Sequence, residues 1–175
     1  AYYLSTTSRD LAYTIAYNSN KPTAATSTVS GTTASSAHTY HGSKALTTNG
    51  YSLTGWTFSG WSKTQTGAKD FADKATITTS LTETDGATVT LYAVWTANTY
   101  KLTYNVDGGT AITAKDKTYD TAYTTTELAE ASKTGYTFLG WYAESTFKTE
   151  IEASDIFNTT TATFANVGTA GTTAT

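Results

Sequence analysis

The sequence predicts a mainly β protein of the α+β class, built as two related modules that each combine a small mixed sheet with one short helix. Three observations predict this. Thr fills 44 of the 175 positions and aromatic residues 13%, while charged residues make up only 14%, well below the roughly 25% of an average soluble chain. Branched and aromatic side chains suit a pleated, half-buried surface. The segment Gly135-Tyr136-Thr137-Phe138-Leu139-Gly140-Trp141 also recurs, 80 residues earlier, as Gly55-Trp56-Thr57-Phe58-Ser59-Gly60-Trp61, and a recurrence of that kind is the mark of repeated structural units. Finally, Tyr100-Lys101-Leu102-Thr103-Tyr104-Asn105 matches Tyr13-Thr14-Ile15-Ala16-Tyr17-Asn18, and Thr118-Tyr119 matches Thr39-Tyr40, so three landmarks recur in one order.

In the second copy, alternating Tyr100, Leu102 and Tyr104 run into Asp107-Gly108-Gly109, which reads as a strand, a tight turn and a returning strand near Ile112. Glu127-Leu128-Ala129-Glu130-Ala131 is the one short stretch of good helix formers. Thr residues precede it as caps and Gly135 follows it. Tyr136 to Tyr142 is then a strand, and Phe147 to Phe157 a polar loop with apolar anchors. In the first copy, Val89 to Trp95 is an apolar run of strand length, expected to be central and buried. That copy carries Asn18-Ser19-Asn20-Lys21-Pro22 in place of the Gly-Gly turn, and extra residues in the Thr/Ser/Ala-rich stretch from Thr23 to Ala37, where a hairpin loop tolerates insertion.

Hairpin, short helix, strand, irregular crossing and long closing strand is a β-grasp-like order. Three patterns resemble the Listeria-Bacteroides repeat, related to internalin-type B repeats: Tyr-x-Leu-x-Tyr-Asn-x-Asp-Gly-Gly-Thr, the run Lys133 to Tyr142, and Leu91-Tyr92-Ala93-Val94-Trp95. The domain expectation is accordingly an N-terminal strand and linker over 1-12, a first module over 13-97 and a second over 98-175. The resemblance implies a module strung in tandem along secreted or cell-wall-attached bacterial proteins, without enzyme activity.

Aligning Gly86 to Thr90 with Gly171 to Thr175 ends the chain where the closing strand of copy two should follow. Ala1-Tyr2-Tyr3-Leu4-Ser5 meanwhile stands where the closing strand of a preceding copy would stand. An open sheet edge invites another strand. The expectation is therefore a filament subunit in which Ala1, Tyr2, Tyr3, Leu4 and Ser5 are donated to an acceptor edge at Thr172, Thr173, Ala174 and Thr175 of the next copy, giving a head-to-tail polymer. Other readings are a piece cut from a longer array, closure of copy two by its own N-terminus, and a segment of a surface adhesin or stalk that binds a host protein or glycan.

Other chemistry finds little footing. A net charge of -3 and pI near 5.2 provide no basic field for nucleic acid. No apolar run spans a bilayer, and the absence of Cys and Met suits a secreted, extracellular setting. His38 and His41 form a His-x-x-His pair in Ser/Thr-rich surroundings, read as a surface loop and not a metal site. Asp70, Asp73, Asp85, Asp116 and Asp120 lack calcium-loop spacing. No Gly-x-Ser-x-Gly elbow is present, and the Asp107 turn lacks the helix and Lys that phosphate cradling needs. No cofactor, metal or catalytic residue is expected. Trp61 and Trp141, recurring at one repeat position, are read as core, and Trp56 as partly buried. Asn158-Thr159-Thr160 makes Asn158 a possible glycosylation site.

Overall fold

The computed structural model describes residues 10–159 and 162–170, with side chains up to 159. The chain divides into two compact units: the first ends at Thr96, and the second begins at Ala97 and includes Ala24–Thr26. The first contains strands β1 (Ala12–Asn18), β2 (Ser30–Gly31), β3 (Ser36–Thr39), β4 (Lys44–Ala45), β5 (Tyr51–Ser52), β6 (Trp56–Ser62), β7 (Thr76–Ile77) and β8 (Thr88–Ala97). Its four-stranded sheet has the order β3-β1-β8-β6. Strand β1 alternates strictly, turning Tyr13, Ile15 and Tyr17 inward, as the two-residue period of a strand with one solvated face requires. It pairs antiparallel with β3 and parallel with β8, Tyr17 facing Leu91 across the latter ladder. As expected from its apolar run, β8 is an interior strand, and Leu91 and Ala93 are fully buried.

The second unit contains β9 (Thr99–Asn105), β10 (Lys115–Thr118), β11 (Thr121–Ala122), β12 (Tyr136–Tyr142), β13 (Ile156–Phe157) and β14 (Ala162–Ala170). Its sheet repeats the same plan in the order β10-β9-β14-β12. The central parallel pair is again present, with Leu102 beside Ala162 and Tyr104 beside Phe164. Strand β12 coincides with the predicted Tyr136–Tyr142. Between Phe138 and Trp141 its register slips against β14, a bulge, and Gly140 there lies against the Glu150 carboxylate.

Three expectations are corrected. The second module does not lack its closing strand: β14 fills that place, hydrogen-bonded to β9 on one side and β12 on the other. In the parallel ladders Tyr17 pairs with Leu91 and Tyr104 with Phe164, so Leu91 corresponds to Phe164, 73 residues away. Matching Gly86 to Gly171 set the alignment about a dozen residues too late. The helix is also absent among the described residues. Thr124 and Glu127 instead close one turn, Leu128 N–H donating to Thr124 O at 3.0 Å. Five helix-forming residues are too few to repay nucleation. Finally, the return strand after Asp107 is β10 rather than a strand near Ile112.

The first turn opens in the same way in both units despite its different residues, and then diverges, Gly108 having a φ of 78° where Lys21 has no positive φ. Asn20 N–H donates to Asn18 Oδ1 (2.7 Å) as Asp107 N–H does to Asn105 Oδ1 (3.1 Å), and Asn20 and Asp107 share a positive φ of 42° and 47°. Asn and Asp tolerate that conformation through such local side-chain bonds; the second unit still needs its Gly pair, since a Cβ on Gly109 would lie 2.7 Å from the Ser132 carbonyl oxygen.

Candidate functional site

Each unit is organised on a buried Trp. Trp61 packs against Tyr17 (4.7 Å between ring centroids) and Phe58 (4.8 Å). Trp141 packs against Tyr104 (5.1 Å) and Phe138 (5.3 Å) in the same arrangement. Both are essentially inaccessible, as their recurrence predicts. Trp141 Nε1 donates to Ala129 O at 3.0 Å. The Nε1 of Trp61 has no such acceptor among the described residues. Trp56 is half-buried, while its counterpart Tyr136 is 41% exposed.

The registers β1–β3 and β9–β10 place His38 opposite Tyr13 and Lys117 opposite Tyr100, so these two residues share one structural position. Each is only 3% exposed. His38 is thus a buried strand residue, not the surface-loop residue expected; His41 alone is exposed, in the turn after β3. The His38 ring stacks on Tyr13 (5.6 Å) and its Nε2 lies 2.9 Å from Ser36 Oγ, which is 3.1 Å from Tyr17 Oη. Thr47 N–H donates to that phenol oxygen at 2.8 Å. Tyr17, Ser36 and His38 thus form one hydrogen-bonded chain, in which each hydroxyl donates or accepts according to the imidazole tautomer. Burial, and then the Lys44 ammonium, hold the His38 pKa below its ordinary value.

At the equivalent place Lys117 is paired with a carboxylate. Its Nζ lies 2.9 Å from Glu127 Oε2 and 2.5 Å from Ala122 O, and 4.9 Å from the centre of the Tyr123 ring. Glu127 Oε2 also accepts Thr124 N–H (2.7 Å), while Glu127 N–H donates to Thr124 Oγ1 (3.2 Å). This reciprocal capping box stabilises the turn. Burial pushes Glu127 upward, but the hydrogen bonds from Lys117 and Thr124 outweigh it and leave the carboxyl below its ordinary range. Tyr104 and Tyr123 are each pushed up to about 12, first by burial and then by nearby carboxylates.

The acidic residues singled out by sequence stand apart in structural roles. Asp70 accepts Lys63 N–H, Asp73 accepts Asn49 N–H, Asp85 accepts Ala12 N–H, and Asp116 pairs with Lys101. Among the described residues none gathers with others as a metal site would require. Asn158 is exposed beside Phe157, its carbonyl accepting the Tyr119 hydroxyl at 2.8 Å. The donor residues Ala1, Tyr2, Tyr3, Leu4 and Ser5 and the acceptor residues Thr172, Thr173, Ala174 and Thr175 lie outside the described residues.

Surface hollows lie in both units. One, of about 570 Å³, lies in the second unit between Gly108–Thr110 and Lys133–Tyr136. Its ammonium is already engaged, Lys133 Nζ donating to Asp107 O at 2.6 Å and sitting 4.3 Å from the centre of the Tyr136 ring. Another, of about 390 Å³, lies in the first unit against Trp95. From the sequence, Trp95 is one of four Trp residues that could offer a flat face to a sugar ring, most of them more simply read as core.

Repeated mixed sheets on aromatic cores, with no catalytic constellation among the described residues, define a β-repeat protein. Residues 100–165 match the family model of the Listeria-Bacteroides repeat domain. The chain is 37% identical over 94 residues to internalin H of Listeria monocytogenes serovar 1/2a, covering 53% of the chain and 15% of that protein. It is 34% identical over 90 residues to a protein of Evansella cellulosilytica named as a Gly-rich membrane protein, covering 51% and 10% respectively. The chain thus spans a small fraction of the curated relatives it matches. No solved structure matches it significantly.

Proposed function

We propose that this chain is a non-catalytic segment of a bacterial surface protein, in which two copies of one module act as a spacer. The observation that carries this reading is the shared sheet plan of the two units, order β3-β1-β8-β6 and order β10-β9-β14-β12, together with the repeat matched over one of them. On this reading the first unit is a second, diverged Listeria-Bacteroides repeat, and both are β-grasp-like modules without a helix among the described residues. The resemblance to internalin H supports an extracellular, cell-surface location.

Head-to-tail assembly by donation of Ala1 to Ser5 has no vacancy to enter, since β14 already lies between β9 and β12. The filament therefore gives way to the spacer. Brief trypsin treatment of intact cells of the source organism is the test. Peptides from both units are expected in the released fraction before any cytosolic marker appears, and their recovery from the cytosol alone would overturn the assignment.

A further inference from the structure

The hollow against Trp95 is a site in the first unit that the fold itself does not need. Register shows this. Phe58 packs on Trp95 at 5.7 Å between centroids, and the residue that faces the equivalent Phe138 in the second unit is Gly168. The second module closes its sheet with no side chain at that position, so Trp95 is not a requirement of the module.

The frame around the indole is rigid. Trp95 Nε1 donates to Ser19 O at 2.8 Å, which fixes the ring. Asn20 Nδ2 donates to Gln65 O and to Ala93 O, each at 2.9 Å, tying the turn after β1, the loop after β6 and the floor strand β8 into one wall. A frame held in this way needs little ordering when a ligand arrives. Around its rim stand Lys21, Thr23, Gln65 and Thr66, whose side chains have no hydrogen-bond partner among the described residues. Pro22 adds a second apolar surface.

We propose that this hollow binds one pyranose ring of a glycan. An indole offers a flat apolar face of negative potential to the C–H face of a sugar. Amide, hydroxyl and ammonium groups at the rim match equatorial hydroxyls as donors and acceptors. A volume of about 390 Å³ lies within the range of small-ligand pockets. Among the described residues no carboxylate lines the hollow and its one charge is the Lys21 ammonium, so neutral and acidic sugars are admitted and amino sugars bearing a free ammonium are repelled. The proposal is independent of whether the segment is a spacer.

The test uses the full chain, isotope-labelled, titrated with chitotriose, cellotriose, lactose and 3′-sialyllactose and followed by amide and indole NMR. Saturable shifts of the Trp95 indole N–H and of the Asn20 and Gln65 amides with at least one sugar are expected. Gln65→Ala, which keeps the structural carbonyl, should weaken binding about fivefold, the equivalent of one hydrogen bond, with the spectrum otherwise unchanged. Trp95→Ala should abolish binding; because it also removes packing on Phe58, Thr66→Ala serves as a second rim variant. No saturable shift with any of the four sugars would overturn the proposal. So would shifts mapping elsewhere, or binding indifferent to both rim variants.

Discussion

Replacing Glu127 by Gln isolates the charge of the buried pair in the second unit. The amide keeps an oxygen for Thr124 N–H but withdraws the counter-ion from an ammonium that is only 3% exposed. Breaking such a pair costs about 3–5 kcal/mol, because the remaining charge stays buried. Here the Ala122 carbonyl and the Tyr123 ring still face Lys117, which places the expected loss near the low end, about 3 kcal/mol. With a urea dependence of about 1.5 kcal/mol per molar for a small unit, the midpoint falls by roughly 2 M. The double variant Lys117→Met, Glu127→Gln removes both charges and should recover to within about 1 kcal/mol of the parent. Hydrogen–deuterium exchange read by mass spectrometry in a urea series reports each unit separately, and peptides from the first unit serve as the internal control. A loss below about 0.5 kcal/mol for Glu127→Gln, or a double variant as unstable as the single, would mean that Lys117 finds solvent and would refute the reasoning. Acid provides the same test without mutation. Since the folded carboxyl lies below its ordinary value of 4.5, its contribution is complete above pH 4.5 and is lost as pH falls through the folded value.

The first unit should yield to acid sooner. Its buried imidazole lies below the ordinary 6.5 in the folded state, so its contribution is present above pH 6.5 and is lost as pH falls towards the folded value. His38→Gln should flatten that slope, and an NMR titration placing the His38 pKa above 6.5 would contradict it. Gly50→Ala should destabilise the first unit by more than 2 kcal/mol in urea unfolding, because a Cβ there would collide with the Thr32 carbonyl oxygen, a backbone atom that cannot turn aside. Deleting residues 1 to 5 should leave the urea midpoint of the second unit unchanged and the sedimentation coefficient that of a single chain. A drop in that midpoint would restore the donor strand.

What the sequence revealed and what it hid follow from how each element is specified. Strand β12 and the paired Trp61 and Trp141 were legible because a strand that buries one aromatic face writes that face into its own alternation, and both copies must write it. Strand β14 was not. Its run Ala162-Thr163-Phe164-Ala165-Asn166-Val167-Gly168 carries far less apolar surface than Leu91 to Trp95, because position within a sheet is decided by the ladders on either side. The burial of His38 was equally hidden, for a His among Ser and Thr reads as solvent-facing until its register opposite Tyr13 is known. Lys117 and Glu127 are ten residues apart, and only the fold brings them together. The two-residue strands such as β2 and β11 have no pattern to read at all.

The parallel pairing of β1 with β8, and of β9 with β14, has a mechanical consequence. In each unit the entering strand and the leaving strand lie side by side and run the same way, from Thr14 beside Thr88 to Asn18 beside Tyr92 in the first. The chain therefore enters at one end of the central ladder and leaves at the other. Tension applied through the chain slides the two strands lengthwise past each other and loads every rung together, whereas an antiparallel pair pulled from one end would open rung by rung. A tether carrying drag on an exposed surface resists extension best when its links are joined in shear.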